Sequence, residues 1–338
     1  MMDEQDRFLD PELGETEQNQ EVVLRPSNFS EYIGQKRVVE NIDVMVESAK
    51  MRSQSMDHIL LSGPPGLGKT SLAMLIADAL GTQLHVVSGP AIEKKGDLAA
   101  VLTNLSPRDV LFIDEIHRMH ITVEEILYSA MEDYRLDILI GQGPSARTMQ
   151  IDLPAFTLVG ATTRSGLLSR PLRERFMGDL HFDFYPPADL SRIIEMNARK
   201  LEVKLDTKAQ MMMAECSRGT PRIANRILRR VRDFALVKRE DSIAVETVER
   251  GLEMMEIDYC GLDRMDRKIL QVIQDYYAGG PVGIEALCAT LSEDRSTIED
   301  VYEPYLLKEG FLLRTPRGRE ISEKARLHLT SPVNHGHR

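Results

Sequence analysis

Between residues 58 and 184 the apolar positions switch repeatedly between short unbroken runs and a three-and-four spacing. Runs at 58–62, 83–88, 110–115, 156–161 and 180–184 read as strands. Leu72, Leu75, Ile76, Ala79 and Leu80 put one apolar stripe on a helix over 69–80 that Gly81 stops, and helical patterns follow near 96–105 and over 121–131. Alternation of this kind predicts a parallel sheet wrapped by crossover helices, an α/β fold. Val38, Val39, Ile42, Val46 and Ala49 predict a further helix ahead of the first strand. Two alternating runs around Gly141-Gln142-Gly143-Pro144-Ser145 interrupt the order and predict a hairpin insertion over 135–153.

Pro186-Pro187 closes this unit, and residues 188–255 carry helical patterns without a strand signal. Helices over 263–277, 283–290 and 296–308 follow, then a ribbon around Pro316-Arg317-Gly318, the pattern of a winged helix. The expected domains are an α/β domain over 22–186, a small helical domain over 187–258 and a winged-helix head over 259–330. Residues 1–21 and 331–338 are expected to be tails.

Composition changes the picture in two places. The net charge of −11 argues against nucleic acid as a whole, but residues 1–21 hold eight acids against Arg7, so most of the acidity belongs to a segment with little to bury. The remainder sums to −4, which neither demands nor excludes DNA. Cys216, Cys260 and Cys288 are odd in number and far apart, so neither a disulfide framework nor a zinc site is indicated. With no long apolar span and no basic-then-apolar leader pattern, a cytoplasmic protein is expected.

The chemistry begins at Gly63-x-x-x-x-Gly68-Lys69-Thr70, directly after the first strand and opening a helix. This is a phosphate-binding loop. Gly66 and Gly68 allow backbone N–H groups to converge on phosphate, Lys69 supplies a point charge and Thr70 a hydroxyl for Mg²⁺. The strand ending in Asp114-Glu115 supplies the complementary carboxylates, Asp114 for the metal through water and Glu115 to polarise the attacking water. Thr162 and Thr163 end another strand at the same edge, where either faces the γ-phosphate or the water. Arg173, Arg175 and Arg222 are candidates for a transferring phosphoryl group, which suits a permanently charged planar fork. The stretch 24–35, with Pro26, Phe29, Tyr32 and Gly34, is either a packing cover or a wall for adenine.

In their order, Gly63 to Thr70, Leu111 to Arg118, Gly160 to Arg164, Arg170 to Phe176 and Arg218 to Arg222 resemble the motifs of AAA+ ATPases. More narrowly, residues 22 to 330 resemble the RuvB family, ATP-driven motors of Holliday-junction branch migration in recombination and DNA repair. Ile298 to Leu306 and Arg314 to Arg319 match as well. The resemblance implies an AAA+ P-loop domain, a helical lid and a C-terminal winged helix, assembled as a homo-hexameric ring with ATP and Mg²⁺ between subunits. It also implies Leu24, Arg25 and Tyr185 around the nucleoside, with Ser71 in the loop and Glu132, Asp133 and Tyr134 nearby. Arg222 would be the lid's sensor, and Arg173 or Arg175 a finger acting in trans. Its partners would be double-stranded DNA at four-way junctions, the junction-binding protein RuvA on the hairpin, and the RuvC resolvase in the wider complex. Ser71 stands where the family usually has Thr and keeps the hydroxyl; Arg170 replaces a small residue, and Met177 separates Phe176 from Gly178.

Two interaction surfaces are expected. Ile138, Leu139 and Ile140 cannot all be hidden in a two-stranded ribbon, which makes them a partner patch or a contact with the parent domain. In the head, Arg295, Arg314, Arg317 and Arg319 are expected to line one edge and meet phosphates, while Glu299, Asp300 and Glu303 face outward and keep their own helix from the groove. Two other classes stay open: a protein-remodelling machine, although Gly89 to Asp109 lacks the pore aromatic it would need, and an ATP-controlled assembly switch or regulator.

Overall fold

The computed structural model describes residues 23–140 and 147–330, with side chains described outside 138–148. The tails and the patch at Ile138, Leu139 and Ile140 therefore lie outside the described residues and side chains. By its contacts the chain forms two units, one of residues 28–185 with 263–330, the other of residues 186–262 with the segment just before residue 28.

In the first unit, helix α1 (Lys36–Arg52) buries Val38, Ile42, Val46 and Ala49, the stripe its spacing predicts. Strands β1 (Ile59–Ser62), β2 (Leu84–Ser88), β3 (Val110–Asp114), β6 (Thr157–Thr162) and β7 (Gly178–His181) make one parallel sheet in the order β2-β3-β6-β1-β7. β1 and β6 are buried throughout, as strands covered on both faces must be, whereas edge strands β2 and β7 alternate. Helices α2 (Lys69–Leu80), α3 (Lys95–Thr103), α4 (Ile121–Glu132) and the short α5 (Arg170–Glu174) make the connections. Strands β4 (Arg135–Ile140) and β5 (Arg147–Asp152) pair antiparallel, the hairpin expected over 135–153.

The second unit contains α6 (Pro187–Lys200), α7 (Thr207–Glu215), α8 (Pro221–Lys238) and α9 (Val245–Met254). Leu190, Ile194, Ala224, Ile227, Leu228, Val231, Val248 and Leu252 form its buried face. Beyond the helices, a single parallel bridge joins Leu205 and Ile243.

The head contains α10 (Arg264–Tyr277), α11 (Ile284–Leu291), α12 (Arg295–Thr297), α13 (Glu303–Lys308) and the antiparallel wing of β8 (Leu312–Thr315) and β9 (Gly318–Ile321), followed by α14 (Glu323–Thr330). The helix expected over 296–308 is helical throughout but not all α: a π-turn, Ile298–Tyr302, separates α12 from α13. Pro304 explains it, since proline has no N–H for the carbonyl of Asp300 and its ring displaces the preceding turn. Wing closure at Thr315 and Gly318 uses Gly318 at φ 140°, where a Cβ would lie 2.3 Å from the Val282 carbonyl.

Candidate active site

The phosphate loop is shaped by glycines that no other residue replaces. Gly63, Gly66 and Gly68 have φ of 132°, 76° and 100°. A Cβ on Gly68 would lie 2.6 Å from the Tyr32 hydroxyl, and one on Gly63 would lie 2.5 Å from the Phe182 carbonyl. The Tyr32 and Tyr185 hydroxyls donate to the carbonyls of Gly68 and Leu67, at 3.3 and 3.2 Å. Burial first, then the neighbouring Tyr185, holds the Tyr32 hydroxyl well above its ordinary pKa, so it stays a neutral donor. Gln35 fixes the same segment by exchanging amide hydrogen bonds with the backbone of Asp183, 2.6 and 3.2 Å. The stretch 24–35 thus braces the loop through Tyr32, one of the aromatics that the sequence leaves open between a packing cover and a wall for adenine. Lys69 is buried and its ammonium donates to the carbonyls of Gly63 and Pro64, at 2.7 and 2.9 Å.

β6 lies between β1 and β3, and this order brings the remaining groups together. Ser62 pairs with Thr162 in register, and Gly63 N–H donates to the Thr162 carbonyl at 3.1 Å. On the other side, Glu115 Oε2 accepts from Thr163 N–H at 3.2 Å and from its hydroxyl at 3.1 Å. His117 Nδ1 lies 3.1 Å from the same oxygen and 2.9 Å from the Thr162 hydroxyl. A carboxylate neighbour places the ring proton on Nδ1. Burial pushes the Glu115 carboxyl up, but the hydrogen bonds from His117 and Thr163 and the charges of His117 and Lys69 outweigh it and hold it below its ordinary value. Glu115 is therefore ionised at neutral pH, suited to orient and polarise a water. Its φ is 47°, and Gly89 lets the chain pass close to it, since a Cβ there would meet the Glu115 carbonyl at 2.4 Å.

Thr70 and Asp114 stand at this same edge, and Asp114 Oδ1 is oriented by the Glu115 N–H at 3.0 Å. An all-oxygen pair of hydroxyl and carboxylate beside a phosphate cradle fits Mg²⁺, which keeps most of its waters. Among the described residues no cluster of three or more His, Cys, Asp or Glu suggests another metal.

Some expected site residues stand at the other edge of the sheet. Tyr134 packs edge-on against Phe156, with ring centroids 5.9 Å apart, and Phe156 packs on His58 at 5.4 Å. His58 accepts from Leu158 N–H at 2.8 Å and donates to the Met131 carbonyl at 3.1 Å. These residues precede β1 and β6, so the end of α4 with Glu132, Asp133 and Tyr134 lies at the amino edge of the sheet. Arg175 lies there too: Met177 N–H donates to the His58 carbonyl at 2.8 Å. The Arg175 guanidinium donates to Glu132 at 2.6 Å and the Pro171 carbonyl at 2.9 Å, and sits 5.1 Å from the Tyr128 ring centroid. Arg173 is exposed. Leu24, Arg25 and Arg222 belong to the helical unit, where Lys200 donates to the Arg25 carbonyl at 2.9 Å. Ser71, beside Thr70, is half-buried in the first turn of α2.

The head departs from expectation. Glu299 and Glu303 do not face outward: their side chains are 8% and 1% exposed. Arg319, expected to meet phosphate, is buried; it donates to Glu303 at 2.5 and 3.2 Å and to Glu299 at 2.9 Å. A wing arginine pointing inward needs carboxylates below it, and the helix supplies them. Glu299 also accepts from Arg295 at 3.1 Å and Arg314 at 3.4 Å. Burial raises the Glu299 carboxyl, but Arg295 and Arg319 override it and hold it low. Arg295, Arg314 and Arg317 are exposed, so three guanidiniums rather than four face solvent.

Family models match the chain in three consecutive pieces: the Holliday junction DNA helicase RuvB P-loop domain over 24–182, the RuvB AAA lid domain over 185–258 and the RuvB C-terminal winged helix domain over 258–330. The Holliday junction branch migration complex subunit RuvB of Kosmotoga olearia is 55% identical over 326 residues, 96% of this chain and 95% of that protein. The solved Thermotoga maritima RuvB Holliday junction branch migration motor is 51% identical, with a TM-score of 0.85 over 92% of this chain and 100% of that one. A variant of the same protein with one alanine changed to serine superposes with a TM-score of 0.86, at 51% identity, over 92% of this chain and 99% of that one. With its three domains matched in order and more than half its residues shared with a relative along nearly its whole length, this chain belongs to the RuvB family of Holliday-junction branch-migration ATPases.

Proposed function

We propose that the chain is the ATP-driven motor that, with the junction-binding protein RuvA, pumps duplex DNA through a homo-hexameric ring and so migrates four-way junctions in recombination and repair. RuvC resolvase belongs to the wider complex, and the setting is the cytoplasm. The observation that carries the ring is the division of the nucleotide site between the two edges of one sheet. Lys69, Thr70, Asp114, Glu115 and Thr163 stand at the carboxyl edge, while Arg175 and Glu132 stand at the amino edge, a strand length away. At about 3.3 Å per residue, a four-residue β1 separates them by about 13 Å. An arginine so placed reaches a γ-phosphate in the neighbouring subunit and not in its own. Arg175 suits the finger better than Arg173, being held by Tyr128, Pro171 and Glu132 before any neighbour arrives.

In the hydrolytic step, glycine-loop N–H groups and Lys69 bind the β- and γ-phosphates, and Glu115 aligns the attacking water with Thr163 fixing its carboxylate. Mg²⁺, held by Thr70 and by Asp114 through water, would neutralise charge on the phosphate oxygens. The test is ATP turnover with four-way DNA and RuvA against linear duplex. Junction-specific stimulation is expected, and Glu115→Gln should bind nucleotide yet turn over more slowly by a factor on the order of hundreds. Equal turnover with and without junctions, or parental turnover in Glu115→Gln, would overturn the reading.

A further inference from the structure

The carboxyl end of β6 touches two machines at once. Thr163 holds Glu115 through its N–H and hydroxyl, and Arg164 N–H donates to the Thr162 hydroxyl at 3.0 Å, which in turn meets His117. The Arg164 side chain points the other way, into the head: Nε donates to Asp300 at 2.5 Å and Nη2 to Glu299 at 3.4 Å. Glu299 is the carboxylate that Arg295, Arg314 and Arg319 already share. Both acceptors lie in the π-turn that precedes Pro304. Four guanidiniums thus compete for a few carboxylates, and one of the four is attached to the residue beside Thr163.

We propose that Arg164 is a positioning residue that transmits the state of the nucleotide site to the DNA-facing wing by competing for Glu299. The inference rests on the reading that Glu115 and Thr163 serve ATP hydrolysis and that the head meets DNA. While Arg164 occupies Asp300 and takes a share of Glu299, Arg295 and Arg314 keep only part of that carboxylate, at 3.1 and 3.4 Å, and stay exposed to phosphates. When hydrolysis moves Glu115, and with it the 162–164 segment, Glu299 is freed to draw Arg314 and Arg295 back, and the head releases its duplex. As a simple brace the pair would contribute little, because Arg164 and Asp300 are 29% and 25% exposed and ion pairs that wet are weak. Its value is in linking two sites.

The experiment compares duplex affinity at fixed salt with a non-hydrolysable ATP analogue and with ADP, for the parent, Arg164→Gln, Asp300→Asn and the exchange Arg164→Asp with Asp300→Arg. Couplings between sites change affinity by about 5- to 150-fold, and the parent ratio should fall in that range. Both single variants should bring the ratio close to one by weakening only the ATP-analogue state, and the exchange should restore most of it. Asp300→Asn, remote from the phosphates, should keep basal ATPase within about twofold. If the parent lacks ATPase or duplex binding, the functional reading itself fails. If the parent has both and the single variants keep its ratio, lose affinity equally in both nucleotide states, or are not restored by the exchange, Arg164 is only a brace and the inference is overturned.

Discussion

Replacing Arg319 by alanine separates structure from DNA contact within one wing. Its side chain is 8% exposed and lies over Glu303, which is 1% exposed. Truncation removes the donors at 2.5 and 3.2 Å from Glu303 and the one at 2.9 Å from Glu299, leaving Glu299 with its other arginines but Glu303 buried without a paired guanidinium. Breaking a buried pair from one side costs about 3–5 kcal/mol, because an uncompensated charge remains. A domain the size of the head loses about 4–8 °C per kcal/mol, so its transition should fall by at least about 12 °C. Calorimetry of the full chain should show this, with hydrogen exchange locating the loss at β8 and β9. Arg319→Met with Glu303→Gln, which removes both charges and keeps bulk, should recover most of it. Exposed Arg317→Ala should leave the transition within about 0.5 kcal/mol of the parent and flatten the salt dependence of duplex binding by about 0.9 per phosphate lost. An Arg319→Ala protein that melts and exchanges like the parent would refute the argument and return Arg319 to the phosphate-facing edge.

Two further outcomes test other parts of the molecule. Arg175→Ala subunits, whose phosphate loop is intact, should regain turnover when mixed with Lys69→Ala subunits, since a finger supplied in trans contributes on the order of a thousandfold or more; confirmed mixed rings with no turnover at any ratio would exclude a shared site. Asp109 provides a pH test of stability: burial raises its carboxyl, but Ser106 N–H, His85 and Gln83 N–H together hold it below the ordinary value. A lowered folded value means that Asp109 stabilises the fold above its unfolded pKa of about 3.9 and loses that contribution as pH falls through the folded value. The stability gap between the parent and Asp109→Asn should be constant from neutral to mildly acidic pH and close below it; a gap that widened on acidification would contradict the assignment.

What was legible in the sequence was contiguous. The loop from Gly63 to Thr70 carries its strand, turn and helix within about twenty residues, so period and motif agree on one answer. The head's charges were misread because a helix bearing Glu299, Asp300 and Glu303 looks like a solvated face until the wing, some twenty residues on, puts Arg319 beneath it. The bracing role of Tyr32 was not legible for a similar reason: it depends on Tyr185, more than 150 residues away, and on the absence of a Cβ at Gly68.

The proposed trans finger is within reach of topology, without any motif. All five strands of the main sheet run parallel, so every segment that leaves a strand stands at one edge and every segment that enters a strand stands at the other. Lys69 follows β1, Asp114 ends β3 and Thr163 follows β6; Arg175 instead leads into β7, and Glu132 to Tyr134 precede the hairpin and β6. No rotamer or loop adjustment brings a residue from the entering edge across the thickness of its own sheet. For Arg175 to meet the phosphate that Lys69 binds, a second chain must present its entering edge to the first chain's leaving edge. That contact is heterologous, each subunit using two different faces, and a heterologous contact that closes on itself makes a ring.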